Sequence, residues 1–151
     1  MLQENQPFPL FSLQDQEGNT VTNQDLMGQP AILYFYPKDD TPGCTSEAGQ
    51  FSEAYASFEK KGAHVVGVSR DTAASHRKFK EKYEIPYRLL ADVDSKVCDA
   101  FGVIVEKNMY GKTSLGVQRS TFLFDAQGTL IRVWPKVSVP GHAEDVLAAI
   151  G

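Results

Sequence analysis

Residues 31–58, AILYFYPKDDTPGCTSEAGQFSEAYASF, constrain this chain more than any other stretch. Residues 31–36 form an apolar run rich in branched and aromatic side chains, the pattern of a strand buried on both faces. A turn-rich segment follows, Pro37-Lys38-Asp39-Asp40-Thr41-Pro42-Gly43, and then Cys44. From Ala48 onward the apolar positions Ala48, Phe51, Ala54, Tyr55 and Phe58 recur at helical spacing. Lys60, Lys61 and Gly62 supply the charges and the conformational freedom with which a helix ends. One cysteine is thereby placed where a buried strand turns into a helix, in the first turn of that helix.

The remaining pattern surrounds this unit with alternating strands and helices. Residues 8–13 and 20–22 flank Asp15-Gln16-Glu17-Gly18-Asn19 and read as an N-terminal hairpin. Residues 63–69 and 87–90 are short apolar runs, separated by a polar helix at 72–83 with Asp71 as its N-cap. Asp92 or Asp94 opens a helix through Val97, Cys98 and Phe101 that stops at Gly102. Residues 107–116 read as a loop. A second hairpin spans 118–124 and 129–134, and a closing helix spans 141–150. The expectation is one α/β domain over 1–151, with a mixed sheet and helices on both faces.

Composition narrows the function. A chain of 151 residues, 42% apolar, can bury roughly 70% of its unfolded surface without a metal or a disulfide. Two cysteines make no disulfide framework and point to a reducing, cytoplasmic setting. The N-terminus has no signal-peptide pattern, and no apolar run is long enough for a membrane span. A net charge of −4 without a basic block argues against a nucleic-acid partner. No Cys or His pair has zinc-ligand spacing. Gly111-Lys112-Thr113 lacks the earlier glycine of a phosphate loop, since Glu106 stands there.

A free cysteine usually packs as a small hydrophobe. Nothing between Pro37 and Gly43 builds an apolar pocket, however, and a helix N-terminus offers unpaired N–H groups that favour thiolate over thiol. Cys44 therefore reads as reactive. The tetrad Thr41-Pro42-Gly43-Cys44 has a hydroxyl where a dithiol oxidoreductase needs its first thiol. His64, His76 and His142 are not placed near Cys44 by any local pattern, so they read as solvated or structural.

Pro37, Thr41 and Cys44 fit the P-x-x-x-T-x-x-C pattern of peroxiredoxins, and YFYPKDDTPGCTSEA resembles their bacterioferritin-comigratory (PrxQ) branch. The likeness continues through residues 92–103, EKNMYGK, RSTFLFD and PGHAEDVL. It implies a thioredoxin-like fold and thiol-dependent reduction of hydrogen peroxide and organic hydroperoxides, with no cofactor. By the same resemblance Cys44 is the peroxidatic thiol, Thr41 hydrogen-bonds thiolate and peroxide, Pro37 shields the pocket, and Arg119 brings its guanidinium to the sulfur. The backbone N–H groups of Gly43 and Cys44 complete the donor set.

Members of the branch often carry a resolving cysteine five residues after the first, where this chain has Gly49, or on the next helix, which here has none. Cys98 remains, among Val97, Ala100 and Phe101, and reads as a packing residue. The expectation is one-cysteine turnover with thioredoxin, or glutathione and glutaredoxin, as reductant, in a monomer. The alternatives are Cys98 as resolving cysteine, a monothiol disulfide reductase, or a non-catalytic binding module on the same scaffold.

Overall fold

The apolar run at 31–35 forms a strand with all five residues buried, and the rest of the sheet is laid down on either side of it. The computed structural model describes residues 1–150, the Met109 side chain apart. In chain order the strands and helices are β1 (Ser12–Asp15), β2 (Thr20–Thr22), β3 (Ala31–Phe35), α1 (Pro42–Lys60), β4 (His64–Ser69), α2 (Ala73–Tyr83), β5 (Arg88–Ala91), α3 (Lys96–Phe101), β6 (Ile104–Met109), β7 (Lys112–Val117), β8 (Ser120–Phe124), β9 (Leu130–Trp134) and α4 (His142–Ala149). Seven strands form one mixed sheet in the order β2-β1-β5-β4-β3-β8-β9. β3 pairs in parallel with β4 and antiparallel with β8, and β4 pairs in parallel with β5. A central strand with helices over both faces needs no polar alternation, which is why its sequence has none.

Successive β3 side chains enter two separate cores. Ala31, Leu33 and Phe35 pack with Val97, Cys98 and Phe101 of α3. Ile32 and Tyr34 pack with Cys44, Phe51 and Phe58 of α1, Phe79 of α2 and Val146 of α4. Tyr34 stacks on Phe51 with ring centroids 4.6 Å apart, which fixes α1 against the sheet. Burying each large side chain of this kind contributes about 1.5–3 kcal/mol. Helices cover both faces as expected, three on one side and α3 on the other.

Three local readings need correction. Residues 107–116 are not a loop but most of the β6–β7 hairpin, a two-stranded sheet of its own. Its turn is Tyr110-Gly111, with φ of 53° and 76°, the left-handed pair that a two-residue hairpin turn requires. No apolar alternation announces it, because Lys112, Thr113, Ser114 and Leu115 are all exposed. The N-cap of α2 is Thr72, whose hydroxyl accepts from Ser75 N, and not Asp71. Asp71 is occupied by the Ser69 hydroxyl and the Asp39 N–H. α3 begins at Lys96 rather than at Asp92 or Asp94. Asp92, fully buried, still serves that helix, accepting from Val97 N at 3.1 Å and Cys98 N at 2.7 Å.

Candidate active site

Helix α1 starts immediately after its N-cap Thr41, so Pro42, Gly43 and Cys44 are its first three residues. Proline at the first position has no N–H to leave unpaired, and its fixed φ suits a helix start. The N–H groups of Gly43 and Cys44 are among those a helix N-terminus cannot satisfy internally, and they belong to the same turn as the thiol. Cys44 is only 2% exposed, against the expectation that nothing there would bury it. Cys44 belongs to one buried cluster with Tyr34, Tyr36 and Phe51, none of which lies in the Pro37–Gly43 turn.

Arg119 reaches this thiol from the residue before β8. Its Nη2 donates to Cys44 Sγ at 3.4 Å and its Nη1 to Glu47 Oε1 at 2.7 Å. Gly43 makes the approach possible, because a Cβ there would lie 3.1 Å from Arg119 Nη2. Burial would lower the Arg119 pKa, but the charges of Glu47 and Cys44 outweigh it and raise the pKa above its ordinary value. The guanidinium is therefore cationic at every accessible pH.

Thr41 stands at the N-cap but does not cap the helix. Its hydroxyl donates to Lys38 O at 2.9 Å, so its proton is committed and its lone pairs are left to accept from an incoming O–H. That differs from a donor role toward the sulfur. Pro37 is half-buried just beyond β3, in the segment that carries Thr41. Cys98 is not part of this site: it lies in the other core, across the sheet from Cys44.

Glu47 carries no signal in the sequence pattern except its place three residues after Cys44 on one helix face. It is 1% exposed, and its Oε2 has no hydrogen-bond partner among the described residues. Burial raises its pKa from 4.5 to about 7, with Arg119 opposing the shift. An acid beside a thiolate looks unhelpful until its partner is seen: it holds one edge of the Arg119 fork while the other edge faces sulfur. Because its folded pKa lies above the unfolded one, its contribution to stability is complete below pH 4.5 and is lost as pH rises through 7. The loss should approach about 3 kcal/mol. Urea unfolding across that range should show this slope in the wild type and a flatter one in Glu47→Gln. Equal slopes would remove Glu47 as the titrating group.

The histidines are structural, as expected, but none is merely solvated. His142 accepts or donates at 2.7 Å to the Thr121 hydroxyl, and burial lowers its pKa to about 4. His64 is half-buried, and burial lowers its pKa as well. His76 is fully buried, with Nδ1 2.7 Å from Asp39 Oδ2 and Nε2 2.9 Å from Leu90 O. The ligand atoms of Asp39, Asp71 and His76 lie within 4.8 Å of one another. They are engaged with each other, with Ser69 and with Ser75, so the cluster is closed by its own hydrogen bonds. This network fastens the segment before α1 to α2. Asp40, at φ 56°, adds a second fastening through Lys82 Nζ at 2.8 Å and Tyr83 OH at 2.6 Å.

A family model described as AhpC/TSA matches residues 5–133. The chain belongs to the AhpC/TSA family. It is 43% identical to peroxiredoxin Bcp of Bacillus subtilis over 145 residues, which is 96% of this chain and 92% of that protein. A structure of the Xanthomonas campestris bacterioferritin comigratory protein matches with a TM-score of 0.89 at 43% identity, covering 95% of each chain. A Xylella fastidiosa PrxQ structure gives 0.93 at 38%, covering 98% of this chain and 94% of that one. These likenesses place the chain in the Bcp/PrxQ branch of the peroxiredoxins, with their thioredoxin-like fold, and make it a thiol-dependent peroxidase.

Proposed function

We propose that this peroxiredoxin works by one-cysteine turnover: Cys44 reduces hydrogen peroxide or an organic hydroperoxide and an external thiol then restores it. The Cys44 thiolate attacks the nearer peroxide oxygen, the O–O bond breaks, and the farther oxygen leaves as hydroxide or alkoxide and takes a proton. Charge moves from sulfur to the leaving oxygen. Arg119 and the N–H groups of Gly43 and Cys44 stabilise it along that path, and Thr41 accepts from the peroxide O–H. Pro37 limits access of water. The product is a Cys44 sulfenic acid. Alkyl peroxides are reasonable substrates, since the Xanthomonas relative is described by its alkyl peroxide reduction activity.

One observation favours external resolution above all. Cys44 and Cys98 are both free and buried, and they sit in different cores on opposite faces of β3. A disulfide between them would require the central strand to be displaced. Burial first, and Asp92 beside it, also raise the Cys98 pKa far above that of an ordinary thiol, which removes the nucleophilic thiolate. Thioredoxin, or glutathione with glutaredoxin, would supply the electrons, in the cytoplasm and to a single-domain monomer. Cys98→Ser should retain its steady-state peroxidase rate within about twofold, as expected for a residue outside the chemistry. Arrest of that variant after one turnover, with Cys44 still oxidised, would replace this reading with the two-cysteine alternative. Reduction of insulin disulfides would instead favour a monothiol reductase.

A further inference from the structure

Two cations outside the Arg119–Glu47 pair lie along the strand that leads to Arg119. Lys107 projects from β6 across Gly116 of β7: a Cβ on Gly116 would lie 2.9 Å from Lys107 Cδ and 3.5 Å from its Nζ. Arg70, just after β4, donates from Nη2 to Leu115 O at 3.3 Å, the residue beside Gly116. Arg119 follows the same strand by two residues and touches Cys44 Sγ. The β6–β7 hairpin thus holds Lys107 and Arg70 along the strand that leads to Arg119, the residue in contact with the thiol. Burial, and then the charge of Arg119, lower the Lys107 pKa, with Cys44 opposing and Arg70 adding to the shift, as the clustering requires. No carboxylate lies within 4.0 Å of Lys107 or Arg70 among the described residues, whereas Arg119 is paired with Glu47. Glu106, next to Lys107, points to the opposite face of the strand. The chain is net negative, so this positive edge is local.

We propose that Lys107 and Arg70 form a cationic rim that selects a small carboxylate-bearing thiol as the reductant of oxidised Cys44. This rests on the external-thiol reading above. A peroxide arrives neutral and gains little from distant cations, but the second half-reaction brings an anion to the site. A thiolate RS⁻ attacks the sulfenic sulfur, the S–S bond forms, the S–O bond breaks, and hydroxide leaves and takes a solvent proton. A second thiolate then attacks the mixed disulfide, releasing RSSR and the Cys44 thiolate. Rim cations steer such anions and mainly affect the association rate and its salt dependence.

The test is single-turnover reduction of Cys44 oxidised by one equivalent of hydrogen peroxide. Glutathione is compared with its diethyl ester, at matched thiolate concentration. The quantity read is the ratio of the two rates, which cancels any change in Cys44 reactivity. At low ionic strength the wild type should favour glutathione by about tenfold, the lower end of electrostatic steering, and added salt should erase the preference. Lys107→Gln with Arg70→Gln should bring the ratio near one. Gly116→Ala, which keeps both charges but pushes Lys107 aside, should lower it partway. A wild-type ratio near one, or a ratio that survives the double substitution, overturns the rim alone. A Cys44–Cys98 disulfide seen by intact mass before thiol is added overturns the external-thiol reading, and the rim with it.

Discussion

Arg119→Met should slow oxidation of Cys44 by hydrogen peroxide by about 10²- to 10³-fold, the usual effect of removing one preorganised donor to a developing anion. The guanidinium has one edge on Glu47 at 2.7 Å and the other 3.4 Å from the sulfur. Its position is fixed before peroxide arrives, so no reorganisation is needed when charge shifts onto the leaving oxygen. Lysine should not rescue it, because a single ammonium cannot span Glu47 and the sulfur as a planar fork does. The substitution also leaves the Glu47 carboxylate without its cation in a site that already raises its pKa to about 7. Part of any loss could therefore be structural, since an unpaired buried charge is costly. Arg119→Met combined with Glu47→Gln separates the two effects, and the rate loss should persist there while thermal stability recovers. Rapid-quench counting of the Cys44 thiol measures the step directly. A loss below tenfold in the double variant would place the main donors elsewhere, at the helix N–H groups.

How much of this could be read beforehand depends on whether each feature is local. Cys44 at the start of a helix was legible, because a buried apolar run, a proline-glycine turn and a helical repeat lie within one short stretch. The mixed sheet followed from the same kind of pattern. Arg119 was legible only through its motif, since nothing near it in sequence says that it faces residue 44. Glu47 was missed because its purpose is set by Arg119, 72 positions away. The β6–β7 hairpin was missed because both of its faces are largely polar, so it lacks the alternation by which strands are recognised. The Thr41 hydroxyl, read as a donor to the sulfur, donates to the carbonyl of Lys38, a contact that no local pattern announces.

The most instructive omission is His76, on a helix that reads as solvated, yet fully buried. Asp39→Ala should cost about 3–5 kcal/mol, since it leaves three buried hydrogen-bonding groups without their partner at about 1–3 kcal/mol each. Leu90 O can only accept, so the His76 Nε2 carries a proton. Asp39 takes hydrogen bonds from Tyr36 OH at 2.6 Å and Ser75 OH at 2.8 Å besides the His76 Nδ1 contact at 2.7 Å. Burial, then the nearby Asp39 charge, raise the Tyr36 pKa well above its usual value, so that hydroxyl keeps its proton and donates. Two hydroxyl donors and a ring nitrogen thus converge on one buried carboxyl group. Removing that carboxyl group leaves the ring nitrogen and two hydroxyls facing nothing. It also frees the segment that positions Thr41 and the first turn of α1. Stability and peroxidase rate should therefore fall together, whereas Asp40→Asn, which disturbs only exposed contacts to Lys82 and Tyr83 and still tolerates the left-handed φ of 56°, should cost much less. Urea midpoints for the two variants decide the matter. If Asp39→Ala loses no more than Asp40→Asn, the buried Asp39 network is not what holds the catalytic turn in place.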